Sequence, residues 1–233
     1  METKELNGNG RIRIARTEID VPHLNEMMTF GFPLLGPDYY QKVMSAISDE
    51  GMLRPTTSQM FSLIDLAFKN SDEEHCKDII SKLRNNWLWT STENLYTPKE
   101  IIVYDNTDGK MPSDRESLLN MNKNGNKAVR IVPYEFKRES QSISDLVKNP
   151  YILAQVGSKE FAEDVVARVA EKISKNKHYV WALNPVDSNE KRYTALYSVW
   201  DDSRLAVDGL YHADDRDGCA SGVSRSAEGA AKK

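Results

Sequence analysis

The sequence predicts one α+β domain, helices first and strands last. Three observations carry that expectation. Apolar residues recur at helical spacing over residues 40–47, 57–70, 71–83 and again after Ser158, whereas everything from Tyr179 onward reads as short β segments parted by tight turns. No linker, internal repeat or low-complexity tract divides the 233 residues, a length that buries enough apolar surface to fold without disulfides or a structural metal. Strands and helices do not alternate regularly, which argues against a parallel βαβ sheet. The expected organisation is a flexible N-terminal arm over 1–10, a single domain over 11–227 with helices and an antiparallel sheet closing in a C-terminal β-meander, and a short tail over 228–233.

The elements follow in order. Residues 1–10 are polar and glycine-bearing and read as a frayed arm. RIRIARTEI alternates and suits a strand. TFGFPLLGPDYY is interrupted by Gly31, Pro33, Gly36 and Pro37 and reads as an apolar loop; His23, after Pro22, also falls in a loop. A helix over 37–47 places Tyr40, Val43, Met44 and Ile47 on one face. Thr57 is the expected cap of the next helix, whose Met60, Leu63, Ile64, Ala67 and Phe68 form a stripe ended by Asn70. Ser71 with Glu74 has the spacing of a capping box, and behind it Cys76, Ile79, Ile80 and Leu83 face inward. A cysteine on such a stripe is a small hydrophobe.

Trp87, Trp89, Leu95, Tyr96 and Ile101 to Tyr104 are strand formers, DNTDGKMPSD is a loop, and KAVRIVPYEF is a further strand. A short helix starts at Ser144, NPYILAQVG ends in a glycine turn, and Ser158 caps a helix with Phe161, Ala162, Val165, Val169 and Ile173 inward and lysines at its end, where they complement the dipole. His178 sits in a basic turn. HYVWALNP, RYTALYSVW, RLAVDGLY and ASGVSRS are the closing strands.

Charge narrows the function. Between Asp201 and Cys219 six Asp stand against two Arg, so this stretch alone carries the net charge of −4 that the whole chain has. Such a region repels phosphate, and nucleic-acid binding there is not expected. No apolar run approaches the ~20 residues of a membrane span, so membrane insertion is not expected. The N-terminus has no apolar signal region. Cytoplasmic synthesis without signal-peptide export is the expectation, compatible with later carriage on a virus particle or display at a cell surface. The two cysteines, Cys76 and Cys219, have no framework spacing.

The chemical motifs are weak. An EF-hand loop set on Gly218 requires an Asp at 213 and a Glu at 224, where Ala213 and Ser224 stand. A looser oxygen-ligand site at Asp214, Asp215 and Asp217 competes with a plain solvent-exposed turn. His212 and Cys219 supply soft ligands, but zinc wants four, and borrowing His75 and Cys76 does not complete the set. GCASG is not a GxSxG nucleophile elbow, and neither it nor NGNG is a phosphate loop. No catalytic residue, metal or cofactor is therefore assigned. Binding remains: Leu210, Tyr211, His212 and the neighbouring Asp residues gather aromatic, imidazole and carboxylate contacts in one stretch, and Tyr211 and Trp200 are the expected anchors.

The stretch LYSVWDDSRLAVDGLYHADDRDGCASGVSRS resembles the C-terminal variable region of the variable proteins of diversity-generating retroelements, especially the archaeal-virus type with a C-type lectin fold. Its close GVSRSA is similar to the glycine–hydrophobe–arginine ending of many such domains, with Ser224 standing before Arg225, and the helix pair over 57–83 followed by Trp87 and Trp89 suits the same arrangement. The resemblance covers most of 11–227, with a variable region at about 196–224. It implies that adenine-directed mutagenesis rewrites selected codons while a rigid scaffold displays the altered side chains to a protein ligand on a host or neighbouring cell. The implied framework is Arg204, Leu205, Val207, Gly209, Arg216, Gly222 and Val223. The implied variable, ligand-binding positions are Trp200, Asp202, Asp208, Leu210, Tyr211, His212, Asp214, Asp215, Asp217 and Cys219. Calcium-dependent sugar motifs of lectins are not matched: Trp200-Asp201-Asp202 is the nearest approach, and Asn184-Pro185-Val186-Asp187 has an extra residue. Protein recognition is thus preferred to carbohydrate. Formylglycine-generating enzymes share the broader fold, but Cys219 has no second cysteine nearby. Two other readings stay open at this point: a metal- or thiol-dependent enzyme around His212, Asp215 and Cys219, and an intracellular structural protein with an inert acidic end. Oligomeric state is left open.

Overall fold

In a computed structural model, which describes residues 3–13, 18–174, 177–199 and 204–225, the chain begins by pairing with itself. Strands β1 (Thr3–Glu5), β2 (Arg11–Arg13), β3 (Glu18–His23) and β4 (Glu26–Gly31) are successive antiparallel neighbours. Thr3–Glu5 lies in the segment expected to fray. Gly8 and Asn9 take positive φ (81° and 62°), which closes the β1–β2 turn, and Asn70 clamps it by accepting from the Asn7 amide at 2.7 Å and donating to the Asn7 carbonyl at 3.0 Å. The segment expected as one apolar loop is largely strand: Thr29 to Gly31 end β4, and β5 (Leu35–Asp38) follows. Glycine and proline do not exclude β5, because it is an edge strand bonded on one side only. His23 ends β3, buried, with its Nδ1 2.9 Å from the Ser62 hydroxyl.

Helix α1 (Tyr40–Asp49) buries the expected face of Tyr40, Val43, Met44 and Ile47. Helix α2 (Thr57–Lys69) is capped one residue earlier than the sequence suggests. Thr56 accepts from the Gln59 amide at 3.3 Å, and Gln59 reaches back to the Thr56 amide at 2.8 Å. Thr57 instead points inward to Thr90 (3.0 Å) and Gln155 (3.1 Å). Helix α3 (Glu74–Asn85) starts from Glu73 with no side-chain cap, because a turn from Asn70 to Glu73 takes up the residues expected to form the box; its stripe of Cys76, Ile79, Ile80 and Leu83 is buried as expected. Helix α4 (Arg115–Lys123) was not legible, since Leu118 is its one buried residue. Short helices α5 (Ile143–Leu146) and α6 (Pro150–Val156) precede α7 over 159–173, which is capped by Ser158 and has a π-helical turn at Ala162–Val166. His178 is buried and bridges to Gln141 rather than lying in an open turn.

The large sheet holds β5, β6 (Trp87–Tyr96), β7 (Ile101–Asp105), β8 (Val129–Val132), β9 (Tyr179–Trp181), β10 (Glu190–Val199), β11 (Arg204–Tyr211) and β12 (Gly218–Ala220), along the path β5-β12-β6-β10-β11-β9 with β7 and β8 beside β6. The closing strands begin as the antiparallel β10–β11 pair of the expected meander and then disperse. β9 runs parallel to β11, β12 runs parallel to β6, and β13 (Val223–Arg225) crosses to pair with β4 in the first sheet. The main core, with α2, α3, α6 and α7, covers one face of the large sheet. On the other face α1 covers one part, packing Tyr40, Val43, Met44 and Ile47 against Trp89, Ala195 and Ala220, and α4 another, packing Leu118 against Leu95, Ile102, Tyr104 and Val129. The uncovered remainder carries the candidate site.

Candidate ligand-binding face

Cross-strand partners point to the same side of a sheet, and here the register of β10 and β11 decides which side chains meet. Tyr193 faces Tyr211 and Ala195 faces Asp208. One residue separates the first members of these pairs and two separate the second, so β11 carries a bulge at Gly209–Leu210 that lets Asp208 and Tyr211 project from one face. Gly209 makes the bulge possible. A Cβ there would lie 1.8 Å from the Tyr151 hydroxyl, and its carbonyl accepts from the Tyr96 hydroxyl at 2.9 Å. Tyr197, two residues beyond Ala195, joins the same face.

Asp208 is only 7 % exposed. Its Oδ2 accepts from the Tyr197 hydroxyl at 3.0 Å and its Oδ1 from the Leu210 amide at 2.9 Å. No Lys or Arg among the described residues pairs with it, and burial pushes its carboxyl up to about 6. The Tyr197 and Tyr211 hydroxyls interact with each other, and both are held above the ordinary tyrosine range by burial first and the Asp208 carboxylate second. Tyr211 leans on Trp87 (ring centroids 4.7 Å) and Trp89 (4.9 Å), and Trp89 continues to Tyr40 (5.6 Å). Trp89 is wholly buried beneath Gly218, where a Cβ would come within 2.0 Å of the indole.

The loop 212–217 lies beside this face and is anchored by its backbone. The Tyr40 amide donates to the Asp215 carbonyl (3.2 Å), the Gln41 amide to the Ala213 carbonyl (3.4 Å), and the Trp87 amide and Asn86 Nδ2 to the Asp217 carbonyl (3.4 and 3.3 Å). Inside the loop Asp215 Oδ2 accepts from the His212 amide at 2.6 Å. Asp217 takes a φ of 68°, a left-handed conformation that Asp tolerates better than most residues.

The ten sequence-derived positions therefore separate. His212, Asp214 and Asp217 are exposed, and Leu210, Tyr211 and Asp215 are half-buried. Asp208 is on the right face but under Tyr197. Cys219 does not fit an outward position: it is 0 % exposed in the main core, paired with Leu88 across β12–β6, and burial pushes its thiol upward. Trp200 and Asp202 lie outside the described residues. The enzyme reading loses its geometry with Cys219. Among the described residues no group of three or more His, Cys, Asp or Glu is placed to hold a metal ion, so neither Asp214, Asp215 and Asp217 nor His212, Asp215 and Cys219 assemble one. Sequence reasoning missed the other wall. A cleft of about 400 Å³ is lined by Asn85, Asn86, Trp87, Tyr197 and Asp217. The period-2 spacing of Tyr193 and Tyr197 was a readable sign of a tyrosine-bearing sheet face; nothing local marked Asn85 and Asn86.

Comparison with known proteins adds the fold. No family model and no curated protein matches the chain. A structure solved in work on the accommodation of massive sequence variation in Nanoarchaeota by the C-type lectin fold superposes with a TM-score of 0.56 at 13% identity, covering 88% of this chain and 100% of that one. The chain has a C-type lectin fold. Among the described residues no helix is long and apolar enough to cross a membrane.

Proposed function

We propose that the chain is a non-enzymatic ligand-binding protein that displays a diversified C-terminal surface on its C-type lectin scaffold, of the retroelement-diversified kind, and that its ligand is a protein on a host or neighbouring cell. The observation that carries this reading is the anchoring of loop 212–217 through main-chain atoms: the amides of Tyr40, Gln41 and Trp87 bond the carbonyl oxygens of Asp215, Ala213 and Asp217, and none of these bonds uses a side chain of the loop. Exposed side chains on such a loop change stability by only about 0.5 kcal/mol each when exchanged. Of the residues read as framework, Arg216 is exposed in the loop itself, over the Tyr39 ring at 4.6 Å, and the others behave otherwise. Leu205, Val207, Gly209, Gly222 and Val223 are buried, and Arg204 stacks on the Tyr179 ring at 4.9 Å and donates to its hydroxyl at 2.6 Å. A fixed interior under an exchangeable rim is what display of variation requires. The solved neighbour, whose fold accommodates massive sequence variation, supports the same reading.

The aromatic and acidic rim favours a protein ligand, since Tyr and Trp give large contact areas with few rotors to immobilise. The test is genomic and physical together. A template repeat beside the gene, differing from codons 200–219 chiefly at adenines, is the expected result. Identity between repeat and gene at every adenine, or a coding region with no such repeat, overturns the diversification reading.

A further inference from the structure

We infer that the cleft between β10 and loop 212–217 takes an arginine side chain of the protein ligand, a deepening that rests on the binding reading above. The inference comes from which polar groups of the wall are already committed. Asn85 gives its Nδ2 to the Ser81 carbonyl (2.9 Å) and hydroxyl (3.1 Å), and Asn86 gives its Nδ2 to the Asp217 carbonyl (3.3 Å). Tyr197 gives its hydroxyl proton to Asp208 at 3.0 Å. What these groups keep for a ligand is mainly acceptors, two amide oxygens and the exposed Asp217 carboxylate, against one remaining Asn86 N–H and the Trp87 indole N–H. A wall with an excess of acceptors and a carboxylate favours a ligand of donors, and guanidinium offers five N–H groups in a fixed plane with no acceptor of its own.

Charge and shape agree. None of the five wall residues is basic. Behind Tyr197 stands Asp208, a buried carboxylate that no cation among the described residues neutralises, with Asp215 adding to its field. A buried anion without a counter-charge is costly, and a cation brought by a ligand relieves that cost. Trp87 is half-buried with its ring braced by Tyr211, so its indole is a rigid surface on which a planar cation can stack. At about 400 Å³ the cleft is at the small end of ligand sites, suited to one inserted side chain rather than a folded segment.

The experiment titrates the full chain with the blocked tripeptides Ac-Gly-Arg-Gly-NH2, Ac-Gly-Lys-Gly-NH2 and Ac-Gly-Glu-Gly-NH2, and with spermidine, following the Trp87 indole resonance, which is assigned by its loss in Trp87→Phe. Saturable shifts with the arginine peptide at millimolar concentration are expected, weaker ones with lysine and none with glutamate. Asp217→Asn keeps the left-handed backbone, since Asn accepts it readily, and leaves the melting temperature in place. It should weaken arginine binding by about tenfold, because a charge-assisted contact becomes a neutral one. No saturable arginine shift, equal shifts with the glutamate peptide, spermidine binding as tightly as arginine, or an unaltered affinity in Asp217→Asn each overturns the assignment. Those results leave the genomic test of diversification untouched, so the two readings fail separately.

Discussion

Tyr197 on β10 hands its hydroxyl proton to Asp208 on β11 at 3.0 Å, although the direct cross-strand partner of Asp208 is Ala195. The contact is diagonal and sits on the sheet face that α1 leaves open. It joins scaffold to surface: Asp208 is fixed from below by the Leu210 amide in the bulge, and Tyr197 lines the cleft above it. A carboxylate buried in this way without a cation is an investment in polarity at the expense of stability.

That expense is measurable through pH. Asp208 has an ordinary carboxyl value of 3.8 and is pushed up to about 6 in the folded chain by burial, so the native state holds its proton more tightly than the unfolded state. Between about pH 4 and 6 the native state binds more protons than the unfolded one, and stability falls as pH rises through that window. The full difference, about 3 kcal/mol, is present below the unfolded value and lost above the folded one. Asp208→Asn removes the titration. Urea unfolding at pH 4, 5, 6 and 8 should therefore show the variant gaining on the parent as pH rises. Parallel pH curves would show that Asp208 is solvated.

Two glycines set the face by the space they leave. Gly218→Ala pushes a methyl group to within 2.0 Å of the buried Trp89 ring, and Gly209→Ala pushes one to within 1.8 Å of the Tyr151 hydroxyl. Overpacking of that kind costs about 2–3 kcal/mol. Gly125→Ala is the control: its φ is 79°, and nothing lies within 4 Å of the added carbon, so only backbone strain opposes it, at about 1 kcal/mol. Chemical denaturation of the three variants, with near-ultraviolet dichroism reporting on Trp89, checks the ranking. Equal losses at all three positions would contradict the packing around the bulge and β12.

The parts of this architecture that local pattern determines were legible. Stripes at helical spacing located α1, α2, α3 and α7, because each buries a continuous apolar face. Helix α4 escaped because Leu118 alone is buried, and a single residue makes no period. At the site, the acidic rim was legible as composition, while its opposite wall was not. Trp87 reaches Asp217 only because β12 inserts beside β6, joining segments more than a hundred residues apart, and no local signal encodes that pairing. The bulge at Gly209–Leu210 was hidden for a related reason: strict alternation assigns Asp208 and Tyr211 to opposite faces, and the extra residue brings them together. Cys219 was misplaced because its polar neighbours suggested a surface turn, whereas Gly218 begins a strand whose Cys219 enters the core.

The cysteines make that correction testable. Burial pushes the Cys76 thiol up to about 11 and the Cys219 thiol in the same direction, and both side chains are shut from solvent. A thiol both protonated and covered reacts through opening of the structure. Each should therefore be modified by a disulfide reagent roughly a hundredfold or more slower in buffer than in denaturant. Mass spectrometry after timed quenching distinguishes the two sites. Fast labelling of Cys219 in buffer would return it to the surface and reopen a thiol-based site.

Loop 212–217 provides the decisive contrast. Its anchors use carbonyl oxygens of Ala213, Asp215 and Asp217, so exchanging side chains at His212, Asp214 and Asp217 leaves all of them in place. Asp215 is different, because its Oδ2 accepts from the His212 amide. A library at His212 and Asp214, with Asp217 exchanged only for Asn or Gly to keep its left-handed backbone, should keep unfolding free energies within about 1 kcal/mol of the parent, with Asp215→Ala costing about 1 kcal/mol through its lost side-chain bond. Melting temperatures across a few dozen variants would establish the distribution. If most members melt far below the parent, the exposed side chains carry structure, the rim cannot be exchanged, and a face built for variation is excluded; if they cluster at the parent's temperature, the loop holds without the exchanged side chains.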